Sequence, residues 1–128
     1  MPSTIHQEVA IAASPKRIYD ALLDARQFGE VTGAPASINP QPGAEFSLFG
    51  GHINGRNVEL VPDKRVVQAW RAKDWDEGLY SVVRFELQEQ GGGTKLVFDH
   101  TGYPEPAHAE LEGGWPKMYW EPLQKYLA

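Results

Sequence analysis

Apolar residues follow two different periods along this chain. Over residues 3–12, Ile5, Val9 and Ile11 are separated by polar neighbours, the pattern of a half-buried strand. Ser14-Pro15 then opens a helix. The serine hydroxyl can accept from a free backbone N–H, and proline loses nothing at the first helical position. Ile18, Ala21, Leu22 and Ala25 recur at helical spacing, with Tyr19 beside them. A second short helix is expected over 24–31, with Phe28 and Val31 turned inward. Residues 33–43 (GAPASINPQPG) read as a loop from their proline and glycine. From Gly43 the period becomes two. Phe46 and Leu48 share a face, Gly50-Gly51 permits a turn, and strands are expected over 52–61 and 65–73, the latter carrying Val67, Ala69 and Trp70. Asp74 to Gly78 is a turn with Trp75 at its tip. Residues 79–89 place Ser81, Val83, Phe85 and Leu87 opposite Val82, Arg84 and Glu86. Gly91-Gly92-Gly93 closes a hairpin, and 94–101 returns with Leu96, Phe98 and His100 on one face.

The remaining segment is helical. At 3.6 residues per turn, Leu111, Trp115, Met118, Tyr119, Pro122 and Tyr126 fall within roughly 100° of arc. Trp120 falls outside that stripe, nearer the polar side with Lys117, Glu121 and Gln124. Gly113-Gly114, Pro116 and Pro122 predict bends near 113–116 and at 122. A glycine ahead of Trp115 would also let the helix approach a sheet closely.

These elements predict one α+β domain over residues 1–128. A curved six-stranded antiparallel sheet packs on a long C-terminal helix, with two short helices after the first strand. Space between a curved sheet and its helix is the natural pocket. The chain has 128 residues, too few for two ordinary domains. Its five Phe, four Trp and five Tyr supply ample material for a pocket wall. A net charge of −5 argues against a nucleic-acid partner, since phosphate binding needs basic residues. With no cysteine, disulfides and thiolate chemistry are excluded. No apolar run is long enough to span a membrane, and the N-terminal residues lack a signal-peptide pattern, which places the chain in the cytoplasm.

Candidate chemistry centres on the inward aromatics. Tyr19, Phe28, Phe46, Trp70, Phe85, Phe98, Trp115 and Tyr119 can all face the space between sheet and helix, with the two tyrosine hydroxyls as polar contacts. For any one of them core packing is the plainer role; as a set they exceed what a small core needs. His100, on the same face as Leu96 and Phe98, could orient a ligand or act as acid and base. Its plainer role is a core histidine bonded to a neighbour. His6, His52 and His108 show no metal-ligand spacing, and Asp99 and His100 point to opposite faces, so neither a metal nor another cofactor is expected. Arg84 is expected to face outward. Trp75 and Trp120 are expected at the periphery, as a rim or a subunit contact. There is no nucleophile motif or phosphate loop.

Four segments carry a resemblance: IHQEVAIAASPKRIYDAL, GGHINGRNVELVPDKRVVQAWR, RFELQEQGGGTKLVFDHTGYP and GGWPKMYWEPLQKYL. Together they resemble the family named for the C-terminal domain of the activator of Hsp90 ATPase, within the START/Bet v 1-like (SRPBCC) superfamily. Gly114-Trp115, Tyr119-Trp120 and Leu123 are its most specific part, and Pro116 is a departure. The resemblance implies a helix-grip fold and a link to stress response. The superfamily includes lipid and hormone carriers and polyketide cyclases. The activator's other domain is absent here, so a co-chaperone role does not transfer by name.

Three functions follow as expectations. The first is a non-enzymatic carrier or sensor of a small hydrophobic molecule. The second is a cyclase- or hydrolase-like enzyme using His100 and a tyrosine. The third is a chaperone-interacting module of Hsp90 type, which would show an apolar patch around Trp75 and Trp120. A homodimer is compatible with each.

Overall fold

The computed structural model describes residues 4–127. Strand β1 (Thr4–Ile11) leads into helices α1 (Pro15–Leu23) and α2 (Ala25–Thr32). Six strands follow: β2 (Ser37–Ile38), β3 (Glu45–Leu48), β4 (Ile53–Val61), β5 (Arg65–Ala72), β6 (Ser81–Gln90) and β7 (Gly93–Thr101). The C-terminal helix has three parts: α3 (His108–Trp115), a π-helical turn (Pro116–Trp120) and α4 (Glu121–Leu127). The expected strand start at residue 3 and the domain's outermost residues lie outside the described range.

Among the described residues the strands form one antiparallel sheet in the order β1-β7-β6-β5-β4-β3-β2. From β2 to β7 each strand neighbours the next in sequence, a meander. The helices α1 and α2 carry the chain from one edge, at β1, to the other, at β2. Seven strands replace the expected six because the proline-rich loop contains β2. Only two residues long, it carries no periodic signal. The segment is pinned instead by a side chain: Asn57, buried on β4, donates from Nδ2 to the carbonyls of Asn39 and Gln41 at 3.0 and 3.3 Å. Gln68 on β5 donates to Asn57 Oδ1 in turn.

Local chemistry explains the element ends. The Ser14 hydroxyl accepts from the N–H of Arg17 and caps α1, as expected. Asp24 caps α2 the same way, accepting from Arg26 and Gln27. Gly91 and Gly92 take φ of 56° and 82°, the left-handed pair that a two-residue hairpin turn needs. Gly55 serves a close approach. A Cβ there would stand 2.0 Å from the Ala69 carbonyl oxygen and 2.5 Å from the tip of the Phe46 ring, so the ring reaches space that only a glycine leaves open.

One face of the sheet is buried by alternation: Val66, Gln68, Trp70 and Ala72 on β5, Ser81, Val83, Phe85 and Leu87 on β6, and Thr94, Leu96, Phe98 and His100 on β7. The helices cover this face with Ile18, Leu22, Phe28, Trp115, Tyr119, Trp120 and Leu123. Arg84 faces outward, as expected, and pairs with Glu86, which also bonds Arg65 Nε at 2.7 Å.

The C-terminal helix departs from the expected stripe. Trp120 is 3% exposed and Met118 is 45% exposed, the reverse of the 3.6-residue phase. The π-turn is the cause. It uses one extra residue per turn, which sets everything after it back by about 100°. Trp120 then falls roughly 40° from Trp115 instead of roughly 140°, and Leu123 and Leu127 follow it into the core. Pro116 and Pro122 do not break the helix; the backbone at Pro116 is helical, with φ −60° and ψ −43°. The glycines serve no close approach, since a Cβ on Gly113 or Gly114 would meet nothing within 4 Å.

Candidate functional site

A cavity of about 480 Å³ opens between the C-terminal helix and the end of the sheet formed by β4 and β5. Its sheet side is Ile53, Trp70 and Ala72. Phe49 closes one end and the turn residues Asp74 and Trp75 another, while Leu111, Gly114, Trp115, Met118 and Tyr119 line it from the helix. The wall is largely aromatic. Trp70 meets Trp115 and Trp75 with ring centroids 5.3 and 5.7 Å apart, and Trp115 meets Tyr119 at 4.4 Å.

Phe49 reaches this place through an unusual backbone. It precedes Gly50-Gly51 in a short 3₁₀ turn after β3 and has φ of 53°, a left-handed conformation that costs a bulky residue about 1 kcal/mol or more. The ring packs against Phe28 and Tyr119 at 5.8 and 5.9 Å.

The polar groups divide into sealed and open. Behind the aromatic wall, Trp115 Nε1 donates to His100 Nδ1 at 3.1 Å. An indole N–H can only donate, so Nδ1 accepts and the ring's proton sits on Nε2. That proton points to Ser81 Oγ at 2.7 Å, and the hydroxyl passes its own to the Trp70 carbonyl at 3.1 Å. His100 has no exposed surface, and burial pushes its pKa down to about 3. The ring is therefore neutral, fully engaged and closed off from the cavity, a geometry that gives acid–base chemistry no access. On the cavity side, burial raises the Tyr119 pKa, so its hydroxyl stays protonated. The Trp70 indole N–H lies near that hydroxyl, which weakly opposes the rise. The indole nitrogen is itself sealed from solvent.

Of the residues expected to line the site, Trp70, Trp115 and Tyr119 do so. Phe28, Phe46, Phe85, Phe98 and His100 are buried behind or beside them as packed core. Tyr19 is half-buried on α1, outside the lining. From the expected stripe, Leu111 and Met118 line the cavity, whereas Tyr126 donates its hydroxyl to Glu30 elsewhere on the surface. Trp75 is at the rim, as expected; Trp120 is not peripheral but buried against Phe85, Phe98 and Trp115. The contributions of Phe49, His52, Ile53, Ala72, Asp74, Ala107 and Glu110 were not legible. The Phe-Gly-Gly run hinted at Phe49, since the turn needed there fixes where that ring goes. Among the described residues, no three His, Asp or Glu side chains cluster as a metal site, and no helix is long and apolar enough to cross a membrane.

The family model described as activator of Hsp90 ATPase homolog 1-like protein matches residues 12–128. The human activator of 90 kDa heat shock protein ATPase homolog 1 is 29% identical over 88% of this chain and 33% of its own length. The chain thus spans about a third of the curated relatives it matches. The crystal structure of an Hsp90 activator from Plasmodium falciparum superposes with a TM-score of 0.92 at 24% identity, covering 97% of this chain and 95% of that one. The solution structure of the Aha1 dimer from Colwellia psychrerythraea superposes with a TM-score of 0.84 at 21% identity, covering 98% and 96%. The helix-grip fold is shared with these structures, and the chain belongs to the family of activator of Hsp90 ATPase homolog 1-like proteins.

Proposed function

We propose that this chain is a binding module that takes a small, largely apolar molecule into the cavity between its sheet and C-terminal helix. The observation that carries this reading is the cavity itself: about 480 Å³, walled by Trp70, Trp75, Trp115, Tyr119 and Phe49. Its volume is within the range of small-molecule sites, and its aromatic wall with few polar groups matches their usual composition. Native mass spectrometry of the purified protein tests the reading, followed by titration with fatty acids, sterols, aromatic polyketides and quaternary-ammonium amphiphiles. A protein that emerges empty and binds none of them refutes it.

A second reading rests on the relatives. Several are named as activators of the 90 kDa heat shock protein ATPase, and this chain corresponds to about a third of such proteins. On that reading the domain contacts an Hsp90-type chaperone, alone or as a dimer like the Colwellia protein. The surface for it is not the expected Trp75–Trp120 patch, because Trp120 is buried. Large exposed apolar side chains occur instead at Val58, Tyr80, Val82 and Met118. Pull-down and ATPase measurements with a purified chaperone test this. Sedimentation fixes the oligomeric state. Absence of both capture and stimulation would remove the chaperone reading and leave the first in place.

A further inference from the structure

The cavity's charge distribution narrows the class of guest, given that the cavity binds one. Its charged lining groups come from two elements. Asp74 stands on the turn after β5, and Glu110 stands in the first turn of α3. Both are exposed, at the mouth, whereas Trp70, Trp115 and Tyr119 are buried deeper. No lysine or arginine lines the cavity; the one basic side chain in the lining is His52. Arg71, on the neighbouring strand position, donates from Nη2 to the carbonyls of Trp75 and Asp76 and lies over the Tyr80 ring, outside the lining.

Each carboxylate has an ordinary use alone. Aspartate suits a turn, and a glutamate in a first helical turn interacts favourably with the helix dipole. What they do together is different, because the groups between them are aromatic. A π-face carries negative electrostatic potential, and an ammonium over it is attracted. Trp75, half-buried at the rim and 5.7 Å from Trp70, extends that wall outward to the acidic mouth. Two carboxylates above an aromatic floor repel an anionic head group and attract a cationic one.

We propose that the ligand is a cationic amphiphile. An apolar, partly aromatic body fills the cavity, and a quaternary or protonated amine sits at the mouth between Asp74, Glu110 and the Trp75 ring. Fatty acids and other anionic lipids are then excluded by charge, although their tails would fit.

The test uses three compounds with one body: (2-naphthylmethyl)trimethylammonium, 2-naphthylmethanol and 2-naphthylacetate. Each is titrated calorimetrically into the full chain at pH 8 and low salt, where free imidazole is neutral. The cation is expected to bind about tenfold tighter than the alcohol and the anion weakest, the scale of two partly exposed charge contacts plus one cation–π contact. In the double variant Asp74→Asn/Glu110→Gln the alcohol and the anion should bind to within about twofold of each other, and the cation's lead should fall to the roughly two- to fivefold of the remaining Trp75 contact, with unchanged near-ultraviolet circular dichroism. Anion binding equal to or tighter than cation binding overturns the proposal, and so does a cation preference that is undiminished in the double variant. If the alcohol binds without any charge preference, the preference alone is wrong. If none of the three binds, the ligand-binding reading falls and the preference falls with it.

Discussion

At position 100 a histidine joins three strands to a helix. Its two nitrogens link Trp115 on α3 to Ser81 on β6, and Ser81 passes the chain of bonds to β5 at the Trp70 carbonyl. Protonation would set an Nδ1–H against the Trp115 N–H, donor against donor, inside the buried core. This geometry agrees with a pKa lowered by burial to about 3. The linkage sign follows. The unfolded chain takes up this proton near the ordinary histidine value of about 6.5, and the folded chain does not. The histidine's contribution to stability is complete above about pH 6.5 and is lost as the pH falls toward 3, by up to about 1.4 kcal/mol per pH unit. His6 acts in the opposite sense. Its pKa is raised by its hydrogen bonds to Asp99 and then Glu8, so its contribution fades as the pH rises. Urea denaturation at pH 6.5, 5.8 and 5.0 avoids most carboxylate titration. His100→Gln should be less stable than the parent at pH 7 but lose less stability over this window. Parallel curves for parent and variant would show that the imidazole is not held neutral. Sequence alone identified this residue as inward-facing and weighed a catalytic role against a core one. Parity placed the side chain, but whether it reaches the cavity depended on Trp115, a partner fifteen positions away on another element.

At the level of elements, the C-terminal helix shows how one missing donor reorganises a stripe. Pro116 has no N–H, so the carbonyl of Glu112 loses its usual i+4 partner. The side chain of Gln7 on β1 supplies one, donating from Nε2 to the Glu112 carbonyl at 2.9 Å. Its Oε1 accepts from Trp120 Nε1 at 2.6 Å. A single glutamine therefore answers both consequences of the π-turn: an orphaned carbonyl and an indole turned inward. Gln7→Leu should cost about 0.5–1.5 kcal/mol, the usual net worth of a hydrogen bond, read as a lower urea midpoint. Gln7→Glu keeps the acceptor for Trp120 but loses the donor, so a smaller loss is expected; equal losses would mean the indole bond carries none of the effect. Gly113 makes the opposite case. It is exposed, and a Cβ there meets nothing, so Gly113→Ala should raise stability by about 0.5–1 kcal/mol through helix propensity alone, measured by thermal unfolding. The strands were legible because a period of two needs no partner to be seen. Trp120 was misplaced because the 3.6-residue period takes no account of a π-turn, and the residue that receives its indole N–H lies at the other end of the chain. β2 was missed for a related reason: two residues have no period, and Asn57 holds them from outside.

For the whole molecule, the cavity is where the sheet's aromatic face and the helix do not quite close. Composition indicated a surplus of aromatic residues, and element order indicated a gap to line. Which of them line it followed from the bend of the chain at Phe49 and the turn at Asp74–Trp75, neither of which periodicity describes. The bulk of the surplus went into packing: Phe28, Phe85, Phe98 and Trp120 meet one another or Tyr119 at ring distances of 5.1 to 6.1 Å. That division gives a means of separating cavity from core. Gly114 lines the cavity, yet a Cβ on it would touch nothing within 4 Å. A leucine there should extend into the open space rather than displace the core. Gly114→Leu is therefore expected to keep or slightly raise the thermal midpoint, since a better helix former replaces glycine. The same substitution should weaken binding of the naphthylmethyl compounds about tenfold or more, because the volume is occupied before the ligand arrives. A core-packing role for this region predicts a different result, a fall in stability from overpacking by about 1–3 kcal/mol. Calorimetric unfolding and ligand titration on the same sample distinguish them. Undiminished affinity in a stable Gly114→Leu protein would mean that the ligand binds elsewhere on the surface.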